Sequence, residues 1–327
     1  MPEDPWGTRP PAPALLHPGA GPHEGPVPRE PEVVAVNGWM VTGAGGMLGS
    51  ELCALLRARR QPVLAFSHGD LDLADGYAVR MAMERARPRV VVNCAAYTDV
   101  DGAESSEAAA LRVNGDAVRR LAQACAATGA RLLHLSTDYV FDGQAEAPWP
   151  EEARPAPRTA YGRSKLAGEQ AVLTELPHSG TVVRTAWLYG AHGRNFVATM
   201  KEKAAAGEAV RVVDDQHGQP TWARDVSQRL YELGELQVSR AAGIFHATSA
   251  GRTTWYEFAR EIYRLAGADP ALVRPLSSED LDRVAPRPAN SVLGHGRWAA
   301  AGLAPLRPWP EALAEAFSGI GTPLATR

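Results

Sequence analysis

The stretch Trp39-Met40-Val41-Thr42-Gly43-Ala44-Gly45-Gly46-Met47-Leu48-Gly49 decides the fold. It opens on a short apolar run. Ser50-Glu51-Leu52-Cys53-Ala54-Leu55-Leu56, which follows it, has the spacing of an amphipathic helix. Strand, glycine turn and helix in that order are the setting of a dinucleotide site. The glycines are spaced Gly43-x-x-Gly46-x-x-Gly49 rather than Gly-x-Gly-x-x-Gly, because position 48 is Leu. The physics carries over: a tight turn, close backbone approach to a pyrophosphate, and a helix N-terminus aimed at phosphate. A plain strand-to-helix connection is the alternative, and the flanking pattern favours the cofactor.

Working outward, Val63-Leu64-Ala65-Phe66 reads as a second strand ending in Ser67-His68-Gly69-Asp70. An acidic residue at this strand end would mark NAD. Ser67 and His68 stand there instead, so NADPH suits the site at least as well as NADH, although no arginine secures the choice. Arg89-Val90-Val91-Val92-Asn93 has the composition of a buried strand and runs into the small residues Cys94-Ala95-Ala96. Ser105 to Ala127 reads as one long helical stretch. Arg131 to Leu135 is the next strand, leading into Ser136-Thr137-Asp138-Tyr139-Val140-Phe141-Asp142-Gly143. A hydroxyl at the carboxyl end of a central parallel strand points into the crevice where ligands bind, which makes Thr137 a donor to a substrate carbonyl.

A Pro-rich loop then precedes Tyr161-Gly162-Arg163-Ser164-Lys165, at the head of a predicted helix. Four residues apart, Tyr161 and Lys165 share a helix face. A free phenol titrates near 10, too high for efficient proton transfer at neutrality. A neighbouring ammonium is expected to lower that value, giving a tuned general acid.

Alternating strands and helices to about residue 190 predict an α/β fold, a Rossmann-type doubly wound parallel sheet. A smaller, interleaved C-terminal substrate lobe follows. The expected divisions are a disordered Pro- and Gly-rich leader over 1–31, a dinucleotide-binding core over 32–190, and a mainly substrate-binding part over 191–327. Within that part come the strand Val210 to Val213, the polar turn Asp214 to Thr221, the short strand Gly243 to Ala247 and the Thr-capped helix Thr254 to Ile262. The loop Arg287-Pro288-Ala289-Asn290-Ser291-Val292-Leu293 is expected to lie over the substrate.

The 327 residues carry a net charge of -3, with 45% hydrophobic and 22% charged residues. That composition is ordinary for a soluble globular protein and leaves no electrostatic footprint for nucleic acid or an anionic membrane. No apolar run approaches a membrane span. Three widely spaced cysteines, Cys53, Cys94 and Cys125, without Cys-x-x-Cys, argue against a disulfide framework and for a reducing cytoplasm. His134, His217 and His246 show no metal-ligand spacing.

Taken together, Thr42 to Gly49, Asn93 to Asp101, Ser136 to Gly143, Tyr161 to Lys165, Asp215 to Thr221 and Arg287 to Leu293 resemble the dTDP-4-dehydrorhamnose reductase family of extended short-chain dehydrogenases. The resemblance runs from about Trp39 to Phe317. It implies reduction of the 4-keto group of a dTDP-6-deoxy-L-hexulose by NADPH or NADH. By motif, Tyr161 is the proton donor, Lys165 holds the nicotinamide ribose and tunes Tyr161, and Thr137 polarises the carbonyl. Gly43, Gly46, Met47, Leu48, Gly49, Asp72, Leu73, Ala95, Ala96 and Tyr97 fall on cofactor positions. Asp138 and Trp187 fall on substrate positions. Asn195 and Arg287 are diphosphate candidates, the latter because a guanidinium grips phosphate. Some relatives are linked to Mg2+ at a homodimer contact; Glu51 matches a position of interest, but no carboxylate cluster supports a metal.

Four rivals stand beside this reading. Sugar-nucleotide 4,6-dehydratases carry an Asp-Glu pair after the hydroxyl residue, and here Asp138 is followed by Tyr139. An epimerase retaining NAD is harder to separate. A reductase for a sibling dTDP-keto-sugar, as in dihydrostreptose formation, is nearer still. From another class, certain relatives resemble non-catalytic NADP-binding regulatory subunits, as of methionine adenosyltransferase. Such a subunit does not need Thr137, Tyr161 and Lys165 together.

Overall fold

A run such as Val90-Val91-Val92, buried on both faces, forms a strand only where helices cover both sides of the sheet. That is the architecture found in a computed structural model, which describes residues 37–320. The leader read at 1–31 lies outside the described residues.

In chain order the first half comprises β1 (Trp39–Thr42), α1 (Met47–Ala58), β2 (Val63–Phe66), α2 (Gly76–Ala86), β3 (Val90–Asn93), α3 (Val100–Ser105), α4 (Glu107–Leu111), α5 (Ala117–Thr128), β4 (Arg131–Thr137), α6 (Ala160–Glu175) and β5 (Gly180–Thr185). The second half comprises β6 (Leu188–Tyr189), α7 (Phe196–Ala205), β7 (Val210–Val213), β8 (His217–Gly218), β9 (Thr221–Trp222), α8 (Ala223–Glu235), α9 (Val238–Ala241), β10 (Gly243–His246), β11 (Thr253–Thr254), α10 (Trp255–Leu265), β12 (Val273–Leu276), α11 (Gly296–Ala300) and α12 (Trp309–Ala316).

Six strands make one parallel sheet in the order β10-β5-β4-β3-β1-β2. The chain steps from β1 to β2, then returns to lay β3 on the other side of β1. A crevice opens at such a reversal, outside the carboxyl ends of the strands. The far strand, β10, comes from the second half of the chain. Helix α8 likewise crosses back to pack on α1. Arg131, first in β4, donates to the carbonyls of Leu233, Gly234 and Leu236 at the end of α8. Those carbonyls are the groups that a helix C-terminus leaves unpaired.

The core matches this layering. Trp39, Leu52, Leu56, Val92, Leu133, Val183, Leu230 and Phe245 pack between sheet and helices. A second cluster, with Val197, Phe258, Ile262, Tyr263 and Leu313, builds the lobe of α7, α10, α12 and the parallel pair β7–β12.

Two stretches differ from the sequence reading. The turn Asp214 to Thr221 contains two short strands: β8 pairs with β11, and β9 with β6. The helix expected over Ser105 to Ala127 is interrupted twice. Ser106 leaves helical geometry at φ -137, ψ 40. Arg112–Asp116 then form a π-turn before α5. A π-turn holds one residue more than an α-turn, and such turns gather at functional sites. Here the extra residue turns Asn114 into the core, where it is fully buried.

Candidate active site

One cleft of about 980 Å³ runs along the carboxyl ends of the strands. It is lined by Gly43, Gly46, Met47, Leu48 and Gly49 from the glycine turn, and by Asp72 and Leu73 beyond β2. Ala95, Ala96 and Tyr97 line it after β3, and Thr137, Asp138, Tyr161 and Lys165 form its centre. Trp187 and Arg287 close its far side.

The glycine turn is a cradle that side chains would fill. Gly43 sits at φ 68, and a Cβ there would strike the backbone of Cys94 and Ala95. A Cβ on Gly49 would strike the Gly43 carbonyl. Gly46 caps α1 without a side-chain hydrogen bond. The first amides of α1 are therefore left to an anion, with the helix dipole behind them. At the end of β2, Asp70 accepts from the Ser67 amide at 2.8 Å and the Ser67 hydroxyl at 2.6 Å. Those bonds hold its carboxyl below the usual range. Asp70 is thus bent back on its own loop, while Ser67, His68 and Asp72 line the cleft.

At the centre, Thr159 caps α6 by accepting the Gly162 amide at 3.0 Å. That fixes the first turn, which carries Tyr161. The Tyr161 ring meets Tyr139 edge-on at 5.6 Å. Lys165 is buried and donates to the Leu135 carbonyl at 2.6 Å. Burial holds its ammonium down to about 8, with the Glu169 and Cys94 charges pulling it back up. The depression of the Tyr161 phenol expected from Lys165 is not found. Burial pushes that phenol up to about 12, opposed by a hydrogen bond with Thr137 and reinforced by the Asp138 charge. Lys165 instead directs its ammonium at the Leu135 carbonyl, and desolvation governs because the phenolate is the form that loses water. Thr137 donates to Asp138 Oδ1 at 2.9 Å and accepts the Tyr139 amide at 3.2 Å. Asp138 is 2% exposed and its Oδ2 has no hydrogen-bond partner. Burial lifts its carboxyl to about 6, against the pull of Ser291 and Thr137.

On the far side the two diphosphate candidates part company. Arg287 lines the cleft, but both its terminal nitrogens are engaged by Asp101, at 2.9 and 2.6 Å. Asn195 does not line the cleft. Its carbonyl oxygen accepts the Ala198 amide at 3.0 Å and its nitrogen donates to the Gly190 carbonyl at 2.9 Å. An Asn in that place is spent as the cap of α7. The adjacent Arg194 and the loop residue Arg283 do line the cleft, and both are exposed.

Comparison with known proteins decides the family. The family described as RmlD substrate binding domain matches residues 38–320. The chain is 56% identical over 284 residues to the dTDP-4-dehydrorhamnose reductase of Streptomyces griseus, covering 86% of this chain and 93% of that one. The chain belongs to the dTDP-4-dehydrorhamnose reductase family. It is also 52% identical over 279 residues to the dTDP-4-keto-6-deoxy-D-glucose reductase of Streptomyces niveus, covering 85% of this chain and 96% of that one. Among solved structures, the dTDP-4-dehydrorhamnose reductase of Bacillus anthracis in complex with NADP superposes with a TM-score of 0.82 at 36% identity. That match covers 86% of this chain and 98% of the other.

Several residues around this reductase site escaped the sequence reading. Asn114, delivered by the π-turn, accepts the Tyr97 amide at 2.9 Å and donates to the Tyr97 carbonyl and the Ser164 hydroxyl. It ties the cofactor-side loop after β3 to α6. Glu169, one turn beyond Lys165, accepts from Ser136 at 2.5 Å and from Arg184 at 2.8 and 2.7 Å. The ion pair is almost wholly buried, at 1% and 2% side-chain exposure. Gln216 and Trp255 also line the cleft. Among the described residues no group of three or more His, Cys, Asp or Glu stands where it could hold a metal, and Glu51 lies outside the cleft.

The cradle yields a test. Gly43→Ala will weaken NADPH binding roughly ten- to a hundredfold, since the methyl group meets the Cys94–Ala95 peptide while the backbone keeps its positive φ. Fluorescence titration of the cofactor reads it; unchanged affinity would detach this turn from the cofactor.

Proposed function

We propose that this protein is an NAD(P)H-dependent oxidoreductase. It reduces the 4-keto group of dTDP-4-dehydro-6-deoxy-L-mannose to give dTDP-L-rhamnose. The observation that carries the reading is the meeting of Thr137, Tyr161 and Lys165 with the glycine cradle in one cleft. The family and the NADP complex of the Bacillus anthracis relative support it.

When bound, the nicotinamide supplies the hydride. Tyr161 supplies the proton to the developing C4 alkoxide. Held near 12, its phenol is fully protonated at neutral pH, the form that a reduction starts from. Thr137 turns its hydrogen from Asp138 towards the C4 oxygen as negative charge builds, where a fixed donor acts most strongly. Lys165 holds the nicotinamide ribose, and its charge stabilises the phenolate left on Tyr161. Asp138 and Trp187 orient the hexose. Arg194 and Arg283 face the diphosphate with Arg287, whose charge Asp101 partly offsets. The unpaired cysteines fit work in a reducing cytoplasm.

A second reading keeps the chemistry and changes the sugar. The Streptomyces niveus relative is named for dTDP-4-keto-6-deoxy-D-glucose, which favours a sibling 4-keto substrate as the alternative.

The test follows NADPH and NADH oxidation with dTDP-4-dehydro-L-rhamnose generated in situ, with the product identified by NMR. dTDP-L-rhamnose as product supports the first reading, and another deoxysugar the second. No oxidation of either cofactor by any dTDP-4-keto sugar rejects both. The same assay carries a pH prediction. Lys165 is an ammonium below about 8 and neutral above it. Because the charged form holds the ribose, kcat/KM will fall as pH rises through about 8. A flat profile to pH 10 would remove Lys165 from that role.

A further inference from the structure

Four non-glycine residues among those described have positive φ. Asn37, Arg60 and Arg87 are exposed polar or charged residues, where such a conformation is cheap. The fourth is Trp187, at φ 47 on the wall of the cleft. Backbone strain in a bulky residue persists only where its surroundings impose it, and it collects at functional sites.

Those surroundings are specific. The Trp187 ring lies flat against Trp255, with centroids 3.7 Å apart and planes 12° from parallel. Phe196 in turn meets Trp255 at 4.7 Å and 60°. A Cβ on Gly218 would overlap Cε2, Cζ2 and Nε1 of the Trp187 indole, so only glycine leaves room for it. The Thr221 amide holds the Trp187 carbonyl at 3.1 Å. Gly218 and Trp255 come from one small unit: Gly218 pairs with Thr253 in β8–β11, and Trp255 is the first residue after β11. Meanwhile Trp187 stands two residues beyond Thr185, the register partner of Thr137. The substrate lobe therefore grips a side chain rooted beside the reaction centre.

We infer that Trp255 and Gly218 are positioning residues of the sugar-nucleotide site, clamping Trp187 in its left-handed conformation as a rigid wall against the hexose. The inference rests on the function proposed above. A flat apolar wall matches the C–H side and methyl group of a 6-deoxyhexose, which offer no hydrogen bonds there. It also gives the Asp215 to Thr221 motif a physical reason. Gln216 reaches the cleft, Gly218 clears space for the indole, and Thr221 holds the indole's backbone.

The experiment compares Trp255→Ala, Trp255→Phe and Gly218→Ala in the full chain, each checked for folding by circular dichroism. Trp255→Ala and Gly218→Ala are expected to raise KM for the 4-keto sugar nucleotide roughly tenfold, with kcat and NADPH affinity within about twofold. Trp255→Phe, which keeps a flat ring, restores most of the loss. Calorimetric titration with dTDP-L-rhamnose reads the same clamp without turnover, and the two disruptive variants should bind it about tenfold more weakly. Wild-type KM and wild-type dTDP-L-rhamnose affinity in both folded variants would overturn the clamp. So would a parallel fall in NADPH affinity, which a general loosening of the fold would cause. A wild-type protein that binds dTDP-L-rhamnose without reducing any keto sugar overturns the proposed activity and leaves the titrations to judge the clamp.

Discussion

Tyr161→Phe will lower kcat by about 10²–10⁴-fold while NADPH affinity stays within about threefold. The substitution removes one oxygen and leaves the ring to meet Tyr139 as before. The Tyr139 phenol beside it also lines the cleft, but burial and the Asp138 charge raise it, which makes it the poorer acid. Lys165 is directed at the Leu135 carbonyl, and Asp138, which also lines the centre, is engaged by Thr137. The Tyr161 phenol sits near 12, so it does not titrate across the assay range and its loss will look the same from pH 6 to pH 9. Steady-state turnover beside cofactor titration makes the measurement. A variant retaining a tenth or more of wild-type kcat would take Tyr161 out of the proton transfer.

Arg184→Leu will destabilise the protein by about 3–5 kcal/mol, because it leaves the Glu169 carboxylate buried without its partner. Glu169 then keeps only the Ser136 hydrogen bond. The cost reaches further than one pair. Arg184 also approaches His246 on β10 at 3.3 Å and lies over the Phe141 ring, so it joins β5, α6 and β10 behind the reaction centre. A Tm lower by roughly 5–15 °C is expected for a chain of this size. Adding Glu169→Gln to Arg184→Leu should recover part of the loss, since no unpaired charge remains. A single-variant loss under 1 kcal/mol would show that Glu169 takes up a proton or finds another partner.

The strands and the glycine turn were legible because each depends on neighbours in sequence. Val63-Leu64-Ala65-Phe66 and Val210-Arg211-Val212-Val213 occupy the predicted residues. Thr254 caps its helix as its position suggested. What stayed hidden depends on residues far apart. Nothing in Leu111-Arg112-Val113-Asn114 announces a π-turn, because inserting one residue leaves the apolar pattern on either side intact. Glu169 reads as a surface helix residue until Arg184, on a different strand, is brought against it. Asn195 was matched to a ligand role by motif, yet its amide is consumed by the helix it begins. The charge of Lys165 was legible, but the depth at which Tyr161 lies was not, and depth decided the direction of the phenol's shift.

The position of β10 bears on how the protein is made. During synthesis the ribosome releases β1 to β5 well before residues 243–246, and at about 5–20 residues per second the interval is several seconds. Through that time β5 lacks its outer neighbour, and for most of it α1 lacks α8. Arg131 likewise waits for the carbonyls that will receive its guanidinium. The nascent chain thus carries every chemical group of the reaction centre before it has the elements that brace them. A chain that ended between β5 and Gly243 would leave β5 as an open sheet edge, with backbone groups free to pair with another chain.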